Sequence, residues 1–106
     1  MVFDEDLIQR VWQKGRATPE RDQDEWRKDQ CGAWMRREQY GGETAEFGWK
    51  IENVSIGGGD ELANLKPFHW RNAFDRNTHQ PRCHVTADRE HVSPTAVLGK
   101  PANRPL

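Results

Sequence analysis

The chain has 106 residues, with 16 Lys and Arg against 17 Asp and Glu, a formal net charge of -1 and a hydrophobic fraction of 34%. This length suits one small domain. Mean hydropathy is -1.05, and no apolar run approaches the roughly 20 residues of a transmembrane helix, which excludes an integral membrane protein. The acidic start, with no apolar stretch after it, differs from a secretion signal, so we expect a cytoplasmic protein.

Charge is divided unevenly along the chain. Residues 1–65 hold 9 basic and 14 acidic side chains, whereas residues 66–106 hold 7 and 3. All four histidines, His69, His79, His84 and His91, lie in the second part. We therefore expect any phosphate or metal chemistry there. Cys31 and Cys83 are too far apart in sequence to define a disulfide scaffold, and in the cytoplasm both are expected to be reduced thiols.

Two helices are predicted in the first part of the chain. Asp4–Lys14 begins with acidic residues and is followed by Gly15, as is typical of a helix. Its apolar side chains share one face: Leu7, Ile8, Val11 and Trp12. A shorter helix over Asp22–Asp29 would carry Trp26 inward.

The middle of the chain has the pattern of strands. Cys31–Arg36 is a plausible strand, 40–42 a turn, and Phe47–Val54 a second strand in which apolar and polar residues alternate. These segments predict a hairpin. The five tryptophans are expected to build the core rather than to stack on bases, because a chain poor in aliphatic residues uses large rings for this purpose.

A loop, a short extended piece and a helix are predicted next, at 57–60, Leu65–Phe68 and His69–Asn77. Asp60 is a candidate cap at the end of the loop. We expect the packed domain to span residues 1–80 and an extension to span 81–106. The extension should be poorly ordered from about residue 93, because it is rich in Pro and contains no aromatic residue.

Four stretches, Trp26–Met35, Tyr40–Gly41, Phe47–Val54 and Gly57–Asn72, together resemble a branch of the HNH endonuclease superfamily. The resemblance covers roughly residues 12–76 and rests on the order and spacing of a strand, a Gly-Gly-Asp loop, an Asn-Leu-x-Pro segment and a predicted helix with Asn and a basic residue. It implies an α+β fold with a small ββα-metal core, a hairpin and a helix that hold one divalent ion beside the DNA backbone. An N-terminal helix and a flexible C-terminal tail would be added to this core.

The resemblance also implies roles for single residues. Glu52 falls where the family has its metal-binding Asp, Asn53 where it has the general-base His, and Asn64 where it has the middle Asn. The last metal ligand falls on Ala73, which has no donor, although the amide of neighbouring Asn72 could serve in another helix phase. Such a site needs a hard divalent ion and a neutral base, and an amide cannot act as a base.

The altered motif predicts a degenerate HNH-like domain that binds nucleic acid, or serves as an interaction module, with weak or no cleavage. Its candidate contacts to the DNA backbone are Lys66, Arg71, Arg76 and Arg82. The alternative is that these residues are merely solvated charges of a small monomeric domain. The sequence does not identify a protein partner.

Two further hypotheses remain open. An active endonuclease could use His69, His79 or His84 as a relocated base with Mg²⁺ or Mn²⁺, or with Zn²⁺ or Ni²⁺. A structural zinc site could be built from Cys83 and the three histidines His79, His84 and His91. The zinc pattern is weak, because it lacks a Cys-x-x-Cys pair.

Overall fold

The computed structural model describes residues 3–87 and residue 103. In this part of the chain, one α-helix, α1 (Glu5–Trp12), is followed by six short strands. The strands are β1 (Trp26–Lys28), β2 (Trp34–Arg36), β3 (Trp49–Asn53), β4 (Leu65–His69), β5 (Ala73–Asp75) and β6 (Gln80–Arg82). Single 3-10 turns lie at Arg37–Gln39 and Leu62–Asn64. The strands pair in chain order into three antiparallel hairpins, so the described fold is β-rich.

The first helix is confirmed, with ends slightly inside the predicted range. Asp4 is its N-cap, and the carboxylate oxygen Oδ1 accepts a hydrogen bond from the amide of Leu7 at 2.8 Å. This bond satisfies one of the amides that have no partner within the first turn. Ile8, Val11 and Trp12 are buried, as the apolar face predicts.

The helix predicted over Asp22–Asp29 is wrong. The amides of Glu25 and Trp26 both donate to the carbonyl oxygen of Asp22, which makes a single turn, and β1 begins directly after it. β1 pairs with β2 from Trp26 opposite Arg36 to Lys28 opposite Trp34. Cross-strand packing of the aromatic residues outweighs the weak helical preference of this charged segment.

β3 confirms the predicted strand within Phe47–Val54, but its predicted partner is wrong. It pairs with β4, from Trp49 opposite His69 to Asn53 opposite Leu65. The amide of Arg36, at the end of β2, donates one hydrogen bond to the carbonyl oxygen of Phe47 at 3.0 Å. An alternating pattern identifies a strand, but it does not determine which other strand completes the ladder.

A third hairpin occupies the place of the helix predicted over His69–Asn77. β5 pairs with β6, and the Asp75 carboxylate accepts from the amides of Asn77 and Thr78 in the turn, at 2.9 and 3.4 Å. Such side-chain bonds favour turns over helix. Because the β5–β6 hairpin occupies the position that the helix of a ββα-metal core would take after β4, the predicted core is wrong.

The main apolar core lies between α1 and the β3–β4 hairpin. Its buried members are Ile8, Val11, Trp12, Met35, Trp49 and Leu65. The rings of Trp12 and Trp49 are in direct contact, with centroids 5.1 Å apart. Trp34 is also buried, whereas Trp26 and Trp70 are half-buried. The predicted core role is therefore confirmed for three of the five tryptophans.

Cys31 and Cys83 form a disulfide, so the prediction of two reduced thiols is wrong. The bond joins residues that are 52 positions apart and ties the turn after β1 to the chain after β6. Both half-cystines are buried with Phe68 in a second apolar cluster. The zinc site that requires Cys83 is also wrong, because this sulfur is already bonded to Cys31.

The packing continues beyond residue 80, where the domain was expected to end. Val85, Thr86 and Ala87 are buried. The side-chain amide of Asn103 pairs with the backbone of Trp34, accepting from its amide at 3.0 Å and donating to its carbonyl oxygen at 2.7 Å. The tail predicted from residue 93 otherwise lies outside the described residues. In the described ranges, we find no helix with the length and apolar character needed to cross a bilayer.

Candidate functional site

A cavity of about 260 Å³ lies where the end of α1 meets β1 and β4. It is lined by Lys14, Gly15, Arg16, Lys28, Asp29, Gln30, Lys66 and Pro67. Four of these eight residues carry a positive charge. A concave space with converging polar groups is the usual candidate for a binding site. We name this space the basic cavity.

Backbone pairing places Arg16 next to Lys28 at the wall of the basic cavity. The amide of Arg16 donates to the carbonyl oxygen of Lys28 at 2.8 Å, and the amide of Lys28 donates back at 2.9 Å. The Arg27 guanidinium holds the preceding turn by donating to the carbonyl oxygens of Gln13 and Gly15, at 2.9 and 3.0 Å. These four hydrogen bonds join the end of α1 to β1, so this wall of the basic cavity is held by the protein itself.

Lys28 brings a buried positive charge into the cavity wall. Its ammonium lies 4.7 Å from the ring centroid of Trp34. The two residues are cross-strand partners in the β1–β2 hairpin, so their side chains lie on the same face. A cation over an indole ring is attracted by the negative face of the ring. This attraction offsets part of the cost of burying the charge.

Lys14 connects the end of α1 to the beginning of β4. Its Nζ donates to the carbonyl oxygens of Leu62 and Leu65, the latter at 2.8 Å. Burial and the nearby Lys66 ammonium hold the pKa of Lys14 below its usual value. Lys14 and Lys66 therefore repel each other, and an anion bound between them would relieve this repulsion.

Asp29 is the acid among the lining residues, and its buried carboxylate joins the three hairpins. Oδ1 accepts from the amides of Cys31 and Ala33, both at 2.9 Å. Oδ2 accepts from the amide of His69 and from Nδ2 of Asn72, also at 2.9 Å. Burial raises the pKa of Asp29 to about 6, against the opposing effect of these four bonds. Because its oxygens are engaged by the protein, this carboxylate contributes little to binding a cation.

Glu52, the metal ligand implied by the resemblance, lies on β3 directly opposite Lys66 of β4. Its Oε1 forms an ion pair with Nζ of Lys50 at 3.5 Å. Directly opposite residues share a face of the hairpin. Glu52 is therefore on the same side of the sheet as a lysine that lines the basic cavity.

Asn53 and Asn64, to which the resemblance gives catalytic positions, hold the glycine-rich loop. Nδ2 of Asn53 donates to the carbonyl oxygen of Gly59 at 3.1 Å and to the carboxylate of Asp60 at 3.3 Å. Oδ1 of Asn53 accepts from the amide of Ser55 at 3.0 Å. Nδ2 of Asn64 donates to the same Gly59 oxygen at 3.0 Å. These contacts organise the loop that joins β3 to β4.

His69, the suggested relocated base, is buried and uses both ring nitrogens within the protein. Nδ1 accepts from the amide of Arg71 at 3.1 Å, and Nε2 donates to the carbonyl oxygen of Glu46 at 2.8 Å. Burial lowers its pKa, the bond to Glu46 opposes this effect, and the cations Arg71 and Lys50 lower the pKa further. The ring is a neutral structural group in this arrangement.

Asn72, the alternative metal ligand, is completely buried. Nδ2 donates to Asp29 at 2.9 Å and to the carbonyl oxygen of Val85 at 2.8 Å. Oδ1 accepts from the amides of His84 and Val85, both at 2.9 Å. Its oxygen is thus used inside the fold. In the part of the chain that the structure describes, no three His, Cys, Asp or Glu residues cluster as metal ligands, so the described residues do not fit the implied divalent ion.

The four residues predicted to contact DNA are spread over the second half of the fold. Lys66 lines the basic cavity, and the guanidinium of Arg71 lies 5.8 Å from the ring centroid of Trp70. Nη1 of Arg76 donates to a loop carbonyl oxygen at 3.4 Å. Arg82 forms an ion pair with Asp75 at 3.5 Å.

Sequence analysis did not identify Lys14, Arg16 and Lys28 as site residues. They lie in the first part of the chain, where acidic residues outnumber basic ones. This excess of acidic residues favoured a phosphate site in the second part. The available signal was local, since two cations flank Gly15 at the end of the predicted helix. Their approach to Lys66 depends on the contact between α1 and β4, which no local pattern reveals.

Comparison of the chain with protein-family models, with curated proteins and with solved structures finds no match. Its function is therefore argued from the arrangement of its own residues.

Proposed function

We propose that this chain is a nucleic-acid-binding module that contacts phosphate groups through the basic cavity. The observation that carries the proposal is the convergence of four cationic residues, Lys14, Arg16, Lys28 and Lys66, on one small space. Lysine and arginine side chains supply most phosphate contacts in protein complexes with nucleic acids.

The distribution of charge supports this proposal despite the net charge of -1. The acid that lines the basic cavity, Asp29, has its carboxylate engaged by four donors. Four cationic residues and one acid thus line the basic cavity, although the total charge of the chain is close to neutral. Arg71, which follows β4, is exposed. We expect it to add a second phosphate contact along the bound nucleic acid.

Fluorescence anisotropy with a labelled oligonucleotide, measured over a range of salt concentrations, tests the proposal. Binding should weaken steeply with salt, because each neutralised phosphate releases counterions. The double variant Lys14→Gln/Lys66→Gln should lower the affinity and reduce the slope of log K against log salt by about 1 to 2. Arg10→Gln removes a positive charge from an exposed position of α1 and should change neither quantity by more than a small amount.

Equal losses in the double variant and in Arg10→Gln would show that net charge, rather than the basic cavity, controls binding. Absence of salt-sensitive binding in the unaltered protein would overturn the proposal. Circular dichroism and thermal unfolding of each variant establish that it is folded.

Cleavage of the bound strand stays a prediction of the HNH resemblance, which rests on the motif residues alone. A plasmid-nicking assay with Mg²⁺, Mn²⁺, Ni²⁺ and Zn²⁺ tests it, with Glu52→Gln as the control for a contaminating nuclease. Metal-dependent cutting that the variant loses would support an enzyme, whereas absence of cutting in every metal would support a binding module.

The cytoplasmic location and the monomeric state also stay predictions. A buried disulfide is typical of proteins in oxidising compartments, which argues against the cytoplasm. Trapping of free thiols in intact cells, followed by mass spectrometry, tests whether the two cysteines are oxidised where the protein resides. Sedimentation of the purified protein tests the oligomeric state.

A further inference from the structure

We infer that the nucleic acid bound by this chain is single-stranded, and that one of its unpaired bases stacks on the indole ring of Trp70. This inference rests on the proposed function and adds the class of nucleic acid. Trp70 and the exposed Arg71 lie directly after β4, whereas Lys66 lies near the start of β4. We name Trp70 and Arg71 the stacking site.

The protein holds the Trp70 ring in one orientation. The Trp70 amide donates to the carbonyl oxygen of Gly48 at 3.0 Å, which extends the β3–β4 ladder by one residue. The indole Nε1 donates to the carbonyl oxygen of Ala45 at 2.9 Å. Because both polar groups of Trp70 are bound by the protein, little ordering of the ring is needed when a base stacks on it.

The ring of Trp70 is half-buried and lies between a buried and an exposed neighbour. The imidazole of buried His69 is stacked on the indole, with centroids 5.9 Å apart and an interplanar angle of 26°. The guanidinium of exposed Arg71 lies over the ring, 5.8 Å from its centroid. Carbon atoms in direct contact are about 3.5–4.0 Å apart. Arg71 therefore does not pack tightly on the ring, and a phosphate contact that draws its side chain outward opens this side of the ring to a base.

Cations near both ends of β4 suit the backbone of the same strand. No ion pair within the described residues joins Lys66 or Arg71 to an acid. Trp70 follows Lys66 by four positions, which corresponds to about 13 Å of extended chain. At a rise of about 3.4 Å per nucleotide, roughly four nucleotides cover this distance. A phosphate at Lys66 and a base at Trp70 can thus belong to one short segment.

A stacking site distinguishes single strands from duplexes. Phosphate contacts are available in both forms, but the bases of a duplex are stacked on one another and present only their edges in the grooves. An unpaired base has a free face for an aromatic ring, and proteins that bind single strands combine such rings with a positively charged surface. The described residues supply both elements.

Fluorescence anisotropy with three oligodeoxynucleotide probes tests the inference. The first probe is a single strand labelled at its 5′ end, the second is the duplex of this strand with its complement, and the third is a strand of the same length in which abasic sugars replace the bases. All three carry the phosphates that the basic cavity would bind. We expect the first probe to bind more tightly than the duplex, and about tenfold more tightly than the abasic strand, within the range found for base–aromatic stacking.

Variants of the half-buried tryptophans separate stacking from charge. Trp70→Leu should abolish the advantage of the strand with bases and leave the salt slope unchanged, because stacking releases no counterions. Trp70→Phe, which keeps an aromatic ring, should retain most of the advantage. Trp26→Leu removes the other half-buried indole, which lies in β1, and should leave the advantage intact. Circular dichroism establishes whether each variant is folded.

Equal binding of the abasic strand and the strand with bases would overturn the inference and leave the proposed function intact, because phosphate contacts alone would explain the binding. Tighter binding of the duplex would also overturn the inference. A preference for bases that persists in folded Trp70→Leu would place the stacked base elsewhere and likewise overturn it. Absence of binding to all three probes would overturn both proposals. If Trp70→Leu does not fold, the three probes with the unaltered protein still decide.

Discussion

Removal of the Asp29 carboxylate is the most informative perturbation of this fold. In Asp29→Ala, the amides of Cys31, Ala33 and His69 and the Nδ2 of Asn72 all lose their acceptor. A buried donor left without a partner costs roughly 1–3 kcal/mol, so four donors cost about 4–12 kcal/mol.

Part of this loss is recovered, because the variant no longer buries a charge. The rise of the Asp29 pKa from 3.8 to about 6 corresponds to a cost of about 3 kcal/mol for keeping the carboxylate ionised at neutral pH. The net expectation is a loss of about 5 kcal/mol at pH 7.5. Domains of this size are stable by about 5–15 kcal/mol, so the variant should be marginally stable.

The loss should depend on pH with a definite sign. A folded-state pKa above the unfolded value means that the folded protein binds more protons between pH 3.8 and about 6. The contribution of Asp29 to stability is therefore fully present below pH 3.8 and is lost as the pH rises through about 6. The difference between the unaltered protein and Asp29→Ala should grow by about 3 kcal/mol from pH 7.5 to pH 4.

Urea unfolding followed by tryptophan fluorescence measures both quantities. Asp24→Ala, which removes an exposed acid near β1, is the matched control and should change stability by less than about 0.5 kcal/mol. A loss below about 1 kcal/mol for Asp29→Ala at pH 7.5 would refute the hydrogen-bond argument. A difference that shrinks on acidification would refute the dominance of burial over hydrogen bonding at this carboxyl.

Three further predictions concern the supports of the basic cavity and its hairpins. The lowered pKa of His69 means that its contribution to the free energy of unfolding is lost as the pH falls below 6.5. In urea unfolding, the unaltered protein should therefore lose stability relative to His69→Gln between pH 7.5 and 5.5. A constant difference in stability between the two proteins would contradict the lowered pKa. Reduction of the disulfide should lower the free energy of unfolding by about 4 kcal/mol, as expected for a loop closed over 52 positions. Urea unfolding with and without dithiothreitol measures this loss. Two free thiols in the folded, oxidised protein would show that the bond is absent. A methyl group at Gly48 would overlap the carbonyl oxygen of Gly42, so Gly48→Ala should lose about 1–3 kcal/mol of stability. A methyl group at Gly59 meets no atom within 4 Å, so Gly59→Ala should be close to neutral. Thermal unfolding of the two variants measures the difference.

Local patterns were sufficient for part of the fold. The apolar face and acidic start of Asp4–Lys14 predicted α1, and the alternation in Phe47–Val54 predicted β3. Each of these signals depends on residues within a few positions of one another. α1 buries the face that its pattern indicates, whereas in β3 Trp49 is buried and Ile51 is half-buried. The core role of Trp12 and Trp49 follows from the same patterns.

The resemblance to HNH endonucleases led to a fold that the structure does not have. The motif places Asn53, Asn64 and Asn72 in a catalytic arrangement, whereas the structure uses their amides to hold a loop and the buried network around Asp29. A short polar motif determines which hydrogen bonds a segment can make. It does not determine which distant groups are present to receive them.

Sequence alone thus determined the first helix, the strands β2, β3 and β4, which lie in or close to their predicted segments, and the aromatic character of the core. These features depend on short-range patterns. Tertiary structure decided the pairing of the strands, the disulfide between Cys31 and Cys83, and the meeting of Lys14 with Lys66. The disulfide and the approach of Lys14 to Lys66 join residues about 50 positions apart. The strand pairs are closer in sequence, but many pairings satisfy the local patterns equally well. Packing of α1 against β4 selects the arrangement in which four cations surround one cavity.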